Sequence, residues 1–293
     1  MSIYHVIYNP QSGMRKTRRA AETVRRILEA NGDEVVFYPT ERKGHCTEIV
    51  REINSSPEEV KVLIIGGDGT FSEALNGVVD FDKITFGLIP CGTGNDFAKK
   101  LKISGRTKKA MRAILAGNER RIDYIDLNGR RCLNVCGLGM DVDVLVKYAS
   151  MKHFKGKIKY YLALFYVLTH FTPHRVRYKI GDAEGGQDVF MVGVCNGSYI
   201  GGGMALAPDN AVDDGTLELV VIDNISKPMI PIRLVPFLLG RMNKQPCTHT
   251  FRGTEAEVEI LGEEPARVQV DGEVIEMPKL CCRIVPKALR MFL

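Results

Sequence analysis

An apolar run over residues 60–65 feeds directly into Gly66, Gly67, Asp68, Gly69 and Thr70, after which residues 71–79 resume with helical spacing. The pattern predicts a buried strand, a tight loop and a helix N-terminus, a unit that belongs in a sheet covered by helices. Glycines let backbone N–H groups approach an anion, and the helix that follows turns its positive dipole end to the same spot. Asp68 in such a loop would repel a bare phosphate unless Mg²⁺ lay between them. The stretch reads as a nucleotide-phosphate site that also holds a metal.

The chain before and after it repeats the same unit. Residues 3–8 read as a strand that stops at Asn9-Pro10-Gln11-Ser12-Gly13, and a helix is expected over 14–30 with Ala20, Val24, Ile27 and Leu28 on its apolar face. Arg15, Lys16, Arg18, Arg19, Arg25 and Arg26 crowd its other side; basic residues near the helix start hint at an anion, while a solvated face accounts for most of the six charges. A strand over 34–38, the loop at Thr40 and a helix over 44–53 come next. Beyond the opening unit, a strand over 84–89 runs into Pro90-Cys91-Gly92-Thr93-Gly94-Asn95-Asp96, with a helix starting at Phe97. Alternating strands and helices imply a parallel sheet whose strand-to-helix turns share one carboxyl edge, where ligands bind.

After residue 121 the pattern changes. Apart from 157–171 and a weaker patch over 226–242, helical spacing gives way to strand-like runs at 175–180, 189–195, 216–222, 255–260, 266–270 and 280–285. The expected fold is therefore an α/β N-terminal domain, 1–123, and a mainly antiparallel β-sandwich, 124–293, with a cleft between them and the last strand returning toward the first domain.

The net charge of +5 suits an anionic partner without demanding nucleic acid, which is not expected as a ligand. The N-terminus lacks a signal-like segment and no stretch reaches the length of a membrane span, so a cytoplasmic protein is expected. Five of the eight cysteines, Cys132, Cys136, Cys195, Cys281 and Cys282, sit in apolar runs and read as small core hydrophobes. A Walker A loop and a Rossmann Gly-x-Gly-x-x-Gly after a strand are both absent. The phosphate site is of another kind.

Asn9-Pro10-Gln11-Ser12-Gly13, Gly66-Gly67-Asp68-Gly69-Thr70 with Glu73 and Asn76-Gly77, and Gly92-Thr93-Gly94-Asn95-Asp96 together resemble the diacylglycerol kinase catalytic domain, nearest to the bacterial soluble lipid kinases of the diacylglycerol and sphingosine kinase superfamily. Further on, Asp213-Asp214-Gly215-Thr216-Leu217 resembles that family's structural-magnesium loop and Val270-Asp271-Gly272-Glu273 its general-base motif. The resemblance implies ATP as cofactor, bound by Asn9, Pro10, Gln11, Ser12, Gly13, Thr40, Gly66, Gly67, Asp68, Gly69, Thr70, Phe71, Ser72, Glu73, Thr93 and Asn95. It places Asp68, Asp96 and Asp123 around a catalytic Mg²⁺, and a second Mg²⁺ at the Asp214 side chain with the carbonyls of Ala211 and Thr216. Glu273 would deprotonate the lipid hydroxyl. On its own residues, apart from the resemblance, the Asp271-Gly272 pair reads first as an ordinary hairpin turn.

The implied partner is a lipid at a membrane surface, and a homodimer stays open. Lys147, Lys152, Lys155, Lys157 and Lys159 lead into the apolar run 160–168, and Lys227 and Arg241 flank another over 228–239. Each run is either a core helix or an interfacial one, with basic residues toward anionic head groups. An NAD kinase-like enzyme and a non-catalytic lipid-binding relative are the alternatives.

Overall fold

Runs of β-branched and aromatic residues that end at glycine, asparagine or proline form the strands of the N-terminal part. The computed structural model describes residues 1–10, 15–151, 156–230, 232–233, 236, 239–262 and 265–293. By packing the chain forms two units: Met1–Tyr124 with Val212–Asp214 and Val285–Leu293, and Ile125–Ala211 with Gly215–Ile284.

The first unit runs β1 (Ile3–Tyr8), α1 (Arg15–Ala30), β2 (Glu34–Pro39), α2 (His45–Asn54), β3 (Val60–Gly66), α3 (Asp68–Gly77), β4 (Ile84–Pro90), α4 (Asp96–Lys100) and α5 (Thr107–Ala116), and takes in the start of β5 (Glu119–Leu127). Its strands lie in the order β2-β1-β3-β4, all parallel. On one face Ala20, Val24 and Leu28 of α1 and Ala110, Met111 and Ile114 of α5 pack on Val6, Leu63 and Ile65. Phe71 of α3 is buried against Phe86 and Phe97. Replacing so buried an aromatic ring by alanine typically costs about 3–5 kcal/mol.

The second unit continues with β6 (Arg130–Cys132), β7 (Val135–Gly139), α6 (Met140–Ser150), α7 (Gly156–His170), β8 (His174–Ile180), β9 (Ala183–Cys195), β10 (Tyr199–Ile200), β11 (Met204–Ala205) and β12 (Leu217–Asp223). It ends with β13 (Thr248–Gly253), β14 (Glu255–Leu261), β15 (Arg267–Val270), β16 (Glu273–Glu276) and the first half of β17 (Lys279–Phe292). Its pairings are antiparallel. Alternation on β12 shows how the core is layered: Leu217, Leu219 and Val221 face a core built from strands, while Val220 and Ile222 face one shared with α6 and α7. The parallel α/β part followed by an antiparallel sandwich-like part is the architecture expected from the alternation pattern.

Several local expectations are corrected. Helix α3 begins at Asp68 with Gly67 as its N-cap, so Asp68, Gly69 and Thr70 form its first turn instead of a preceding loop. The helix expected from Phe97 is two helices, α4 and α5. Helix α6 falls where no helix was expected, because Asp-Val alternation over residues 141–144 carries a period of two, while Met140 and Val144, one helical turn apart, pack into the core shared with α7. Cys281 is exposed on β17, whereas Cys132, Cys136, Cys195 and Cys282 are buried. The patch 226–242 lies partly outside the described residues, as do Lys152 and Lys155. The last nine residues, Val285–Leu293, pack with the first unit, where Arg290 and Met291 of β17 pair in parallel with Thr85 and Phe86.

Candidate active site

In the first unit the parallel register puts Tyr8 level with Pro39 and Ile65, and Gly66 level with Pro90. Asn9, Thr40, Gly67 and Cys91 therefore leave the sheet side by side, and the Thr40 N–H donates to Tyr8 O at 2.9 Å. The strand order reverses between β1 and β3, the kind of point beyond which open parallel sheets bind ligands. Gln11, Ser12 and Gly13 lie outside the described residues.

Two glycine segments meet at this edge. The Gly66 carbonyl accepts from Cys91 N–H at 2.8 Å, and a Cβ on Gly92 would stand 2.5 Å from Gly67 Cα. Nothing larger than hydrogen fits there. A Cβ on Gly69, by contrast, would meet open space, so the first turn of α3 is accessible. Thr93 is exposed, and Lys16 of α1 reaches the same edge, its Nζ donating to Pro90 O at 3.2 Å.

Asp68 sits where the segments join. Its Oδ2 accepts from Asp96 N–H at 3.0 Å and its Oδ1 from Phe97 N–H at 3.1 Å, so one carboxylate closes the N-terminus of α4. Asn95, at φ 52, donates from Nδ2 to Gly92 O at 2.7 Å, and its Oδ1 is buried without a hydrogen-bond partner. The Asp96 carboxylate is buried beside Lys99 at 3.1 Å. Asp123 is fully buried and its Oδ1 accepts from Lys287 N–H at 2.6 Å.

Among the described residues no three His, Cys, Asp or Glu side chains stand together to cage a metal. Asp68 and Asp96 adjoin through the start of α4, while Asp123 is tied to the C-terminal segment. The remaining nucleotide candidates are partly committed to the fold. The Phe71 ring is core, Glu73 O accepts from Thr47 Oγ1 at 2.8 Å, and Ser72 O accepts from Asn76 Nδ2 at 2.9 Å. At the other expected metal loop Asp214 is exposed, Gly215 turns at φ 73, and Asp213 accepts from Arg120 Nε at 2.9 Å. Ala211 and Thr216 flank this turn in sequence.

In the second unit Glu273 opens β16 directly after a two-residue turn. Asp271 (φ 50) and Gly272 (φ 84) are both left-handed, the geometry of a type I′ hairpin, so the turn reading of this motif holds beside any catalytic one. The turn is pinned from outside the hairpin. Asp271 accepts from Leu133 N–H at 2.9 Å and Asn134 N–H at 2.8 Å, and donates its own N–H to Val135 O at 3.0 Å. Gln269 Oε1 accepts from Gly272 N–H at 2.9 Å. Arg130 Nη2 donates to Glu273 Oε2 at 2.7 Å.

Sequence reasoning passed over Asp271 and Arg130 as site residues, since their partners lie more than a hundred positions away. It also passed over Asp141 in the first turn of α6. The Asp141 Oδ1 is buried without a hydrogen-bond partner, and burial pushes the carboxyl up to about 7.

The model of the diacylglycerol kinase catalytic domain matches residues 4–127, and that of the YegS C-terminal NAD kinase beta sandwich-like domain matches residues 134–293. A diacylglycerol kinase of Staphylococcus carnosus is 31% identical over 222 residues, covering 74% of this chain and 71% of that protein. A solved diacylglycerol kinase from Bacillus anthracis shares the fold at TM-score 0.70 and 19% identity, covering 99% of this chain and 96% of that one. An Archaeoglobus fulgidus NAD kinase solved with ATP shares it more loosely, at TM-score 0.52 and 11% identity, over 99% of this chain and 93% of that one. The fold class is thus that of the NAD kinase and diacylglycerol kinase architecture. Within it, this chain belongs to the diacylglycerol kinase family of lipid kinases.

Proposed function

We propose that the protein transfers the γ-phosphoryl group of ATP to the hydroxyl of diacylglycerol or a related lipid, with residues 1–123 binding nucleotide and 124–293 the lipid. The observation that carries the nucleotide half is the glycine edge of the first unit, where Gly67 and Gly92 touch and the first turn of α3 stays open. Backbone N–H groups at such an edge suit phosphate oxygens. Asn9, Thr40, Gly69 and Thr70 are the described groups best placed along it. Mg²⁺ at Asp68, bound also by phosphate and water as this ion usually is, would neutralise charge on the transferring group.

Glu273 takes the proton from the acceptor hydroxyl. That oxygen bonds to the γ-phosphorus as the bond to the bridging oxygen of ADP breaks, and the proton then passes from Glu273 to water. A structural Mg²⁺ would be held by the Asp214 side chain with the carbonyls of Ala211 and Thr216. Family membership supports the lipid acceptor.

Helix α7 supplies a further support for a membrane-borne substrate. Ala163, Leu164 and Val167 are core, but Ile158, Tyr161, Leu162 and Phe165 form an exposed apolar stripe at helical spacing. Lys147 and Lys159 stack on Tyr166 and Tyr148 near it. Among the described residues no helix is long and apolar enough to cross a membrane. The stripe on α7 supports an enzyme that visits the membrane surface.

The test is phosphorylation of diacylglycerol, sphingosine and ceramide in mixed micelles, with NAD alongside. Transfer to diacylglycerol is expected, and transfer to NAD alone sinks the lipid reading. With anionic vesicles the Phe165→Glu protein is expected to sediment several-fold less than wild type at equal stability, since a charge on an interfacial face opposes insertion. Equal sedimentation removes α7 from the membrane contact.

A further inference from the structure

The second unit holds its candidate base with more than a turn. Arg130 lies at the start of β6, just after a second left-handed pair, Asn128 (φ 50) and Gly129 (φ 82). This turn is braced from within and from β17: Asp126 Oδ1 accepts from Gly129 N–H at 2.8 Å, while Asn128 Nδ2 donates to Lys279 O at 2.9 Å and Asn128 Oδ1 accepts from Cys281 N–H at 2.8 Å. Lys279 and Cys281 belong to the strand that follows the Glu273 hairpin. The Asp271 carboxylate fastens the same two hairpins together three residues beyond Arg130, through Leu133 and Asn134.

Ion pairs at the surface usually contribute little, because two flexible side chains must be ordered in water. This pair differs in its placement. Both side chains are only 33% exposed, and each is delivered by a tight turn whose geometry is fixed by bonds to other strands. Arg130 Nε is buried without a hydrogen-bond partner, a desolvation cost set against the charge-assisted bond to Glu273.

We propose that Arg130 is a positioning residue for the phosphoryl-transfer reaction: its guanidinium holds the Glu273 carboxylate in one orientation and in its ionised form until the acceptor hydroxyl arrives. The inference rests on Glu273 being the general base. A guanidinium can do both tasks because it is planar, always charged, and presents its donors in a fixed fork. Once Glu273 has taken the substrate proton, the pair is weakened and favours passing that proton on to water, which readies the carboxylate for the next turnover.

The experiment compares wild type with Arg130→Gln, Arg130→Lys and Glu273→Gln in the diacylglycerol micelle assay, with thermal melts to confirm folding. For Arg130→Gln the expected result is a kcat about tenfold lower with the KM for ATP unchanged. The acid side of its pH–kcat profile should move to higher pH, because the carboxylate loses its cationic neighbour. Arg130→Lys should restore the profile and part of the rate. If Glu273→Gln loses turnover while Arg130→Gln keeps the wild-type rate and profile, the role of Arg130 falls and that of Glu273 stands. If Glu273→Gln keeps turnover, the base assignment itself falls.

Discussion

A Glu273→Gln protein is expected to bind ATP as wild type does and to phosphorylate lipid at least about 100-fold more slowly, the usual scale for losing a general base. The substitution is isosteric. Its amide oxygen can still accept from Arg130 Nη2, and the turn before it is held by Asp271, Gly272 and Gln269 without help from residue 273. The variant keeps the bond to Arg130 but loses its charge assistance, so it should melt slightly below wild type, losing about 1 kcal/mol. What it loses is the ability to take up a proton. Single-turnover transfer from labelled ATP to diacylglycerol separates that step from lipid binding and release. A Glu273→Asp control keeps the charge but retracts it by one methylene, and should fall between the two. Near-wild-type transfer by the glutamine protein would show that the acceptor proton leaves by another route.

The parts of this molecule that sequence reasoning reached are those whose cause is local. Residues 3–8, 34–38, 60–65 and 84–89 read as strands because a β-branched run meets a glycine, asparagine or proline that stops it, and the structure ends β1, β2, β3 and β4 within one residue of those limits. What lay beyond reach has distant causes. Helix α3 starts at Asp68 because Phe71 N–H bonds back to Gly67 O at 3.1 Å, and the Asp68 side chain on that first turn then reaches across to cap α4 at Asp96 and Phe97, a contact no local pattern shows. Helix α6 exists because Met140 and Val144 find a core, although valines alternating with aspartates carry no helical period.

The same distinction governs the site. Asp68, Asp96 and Asp123 look alike as acids in a list, yet each has its own fixed partner: backbone N–H groups of α4, the Lys99 ammonium and the Lys287 N–H. Only Asp68 combines that bonding with the glycine edge. The hairpin that presents Glu273 was legible as an Asp-Gly turn, whereas its clamp to Leu133 and Asn134, and the pair with Arg130, depend on strands folding together.

Asp68→Asn should have two separable effects. The carboxylate accepts one N–H on each oxygen, at 3.0 and 3.1 Å. Asparagine offers one carbonyl oxygen and one NH₂, so one of the two N–H groups at the start of α4 then faces a donor. Losing a charge-assisted bond and stranding its partner costs about 1.5–3 kcal/mol, which for a chain of this size lowers the melting temperature by several degrees. That loss is structural and independent of ligand. The second effect concerns the metal. Ligand that binds only the folded state raises the melting temperature, and wild type should gain more from ATP with Mg²⁺ than from ATP alone. In Asp68→Asn that increment should vanish, and lipid phosphorylation should fall about 1,000-fold, beyond what partial unfolding explains. If the variant melts lower but keeps the full Mg²⁺-dependent increment, Asp68 is a helix cap and the metal is held elsewhere. If it melts like wild type, the two backbone contacts carry no stability. The carboxylate is then available to the metal at no structural cost.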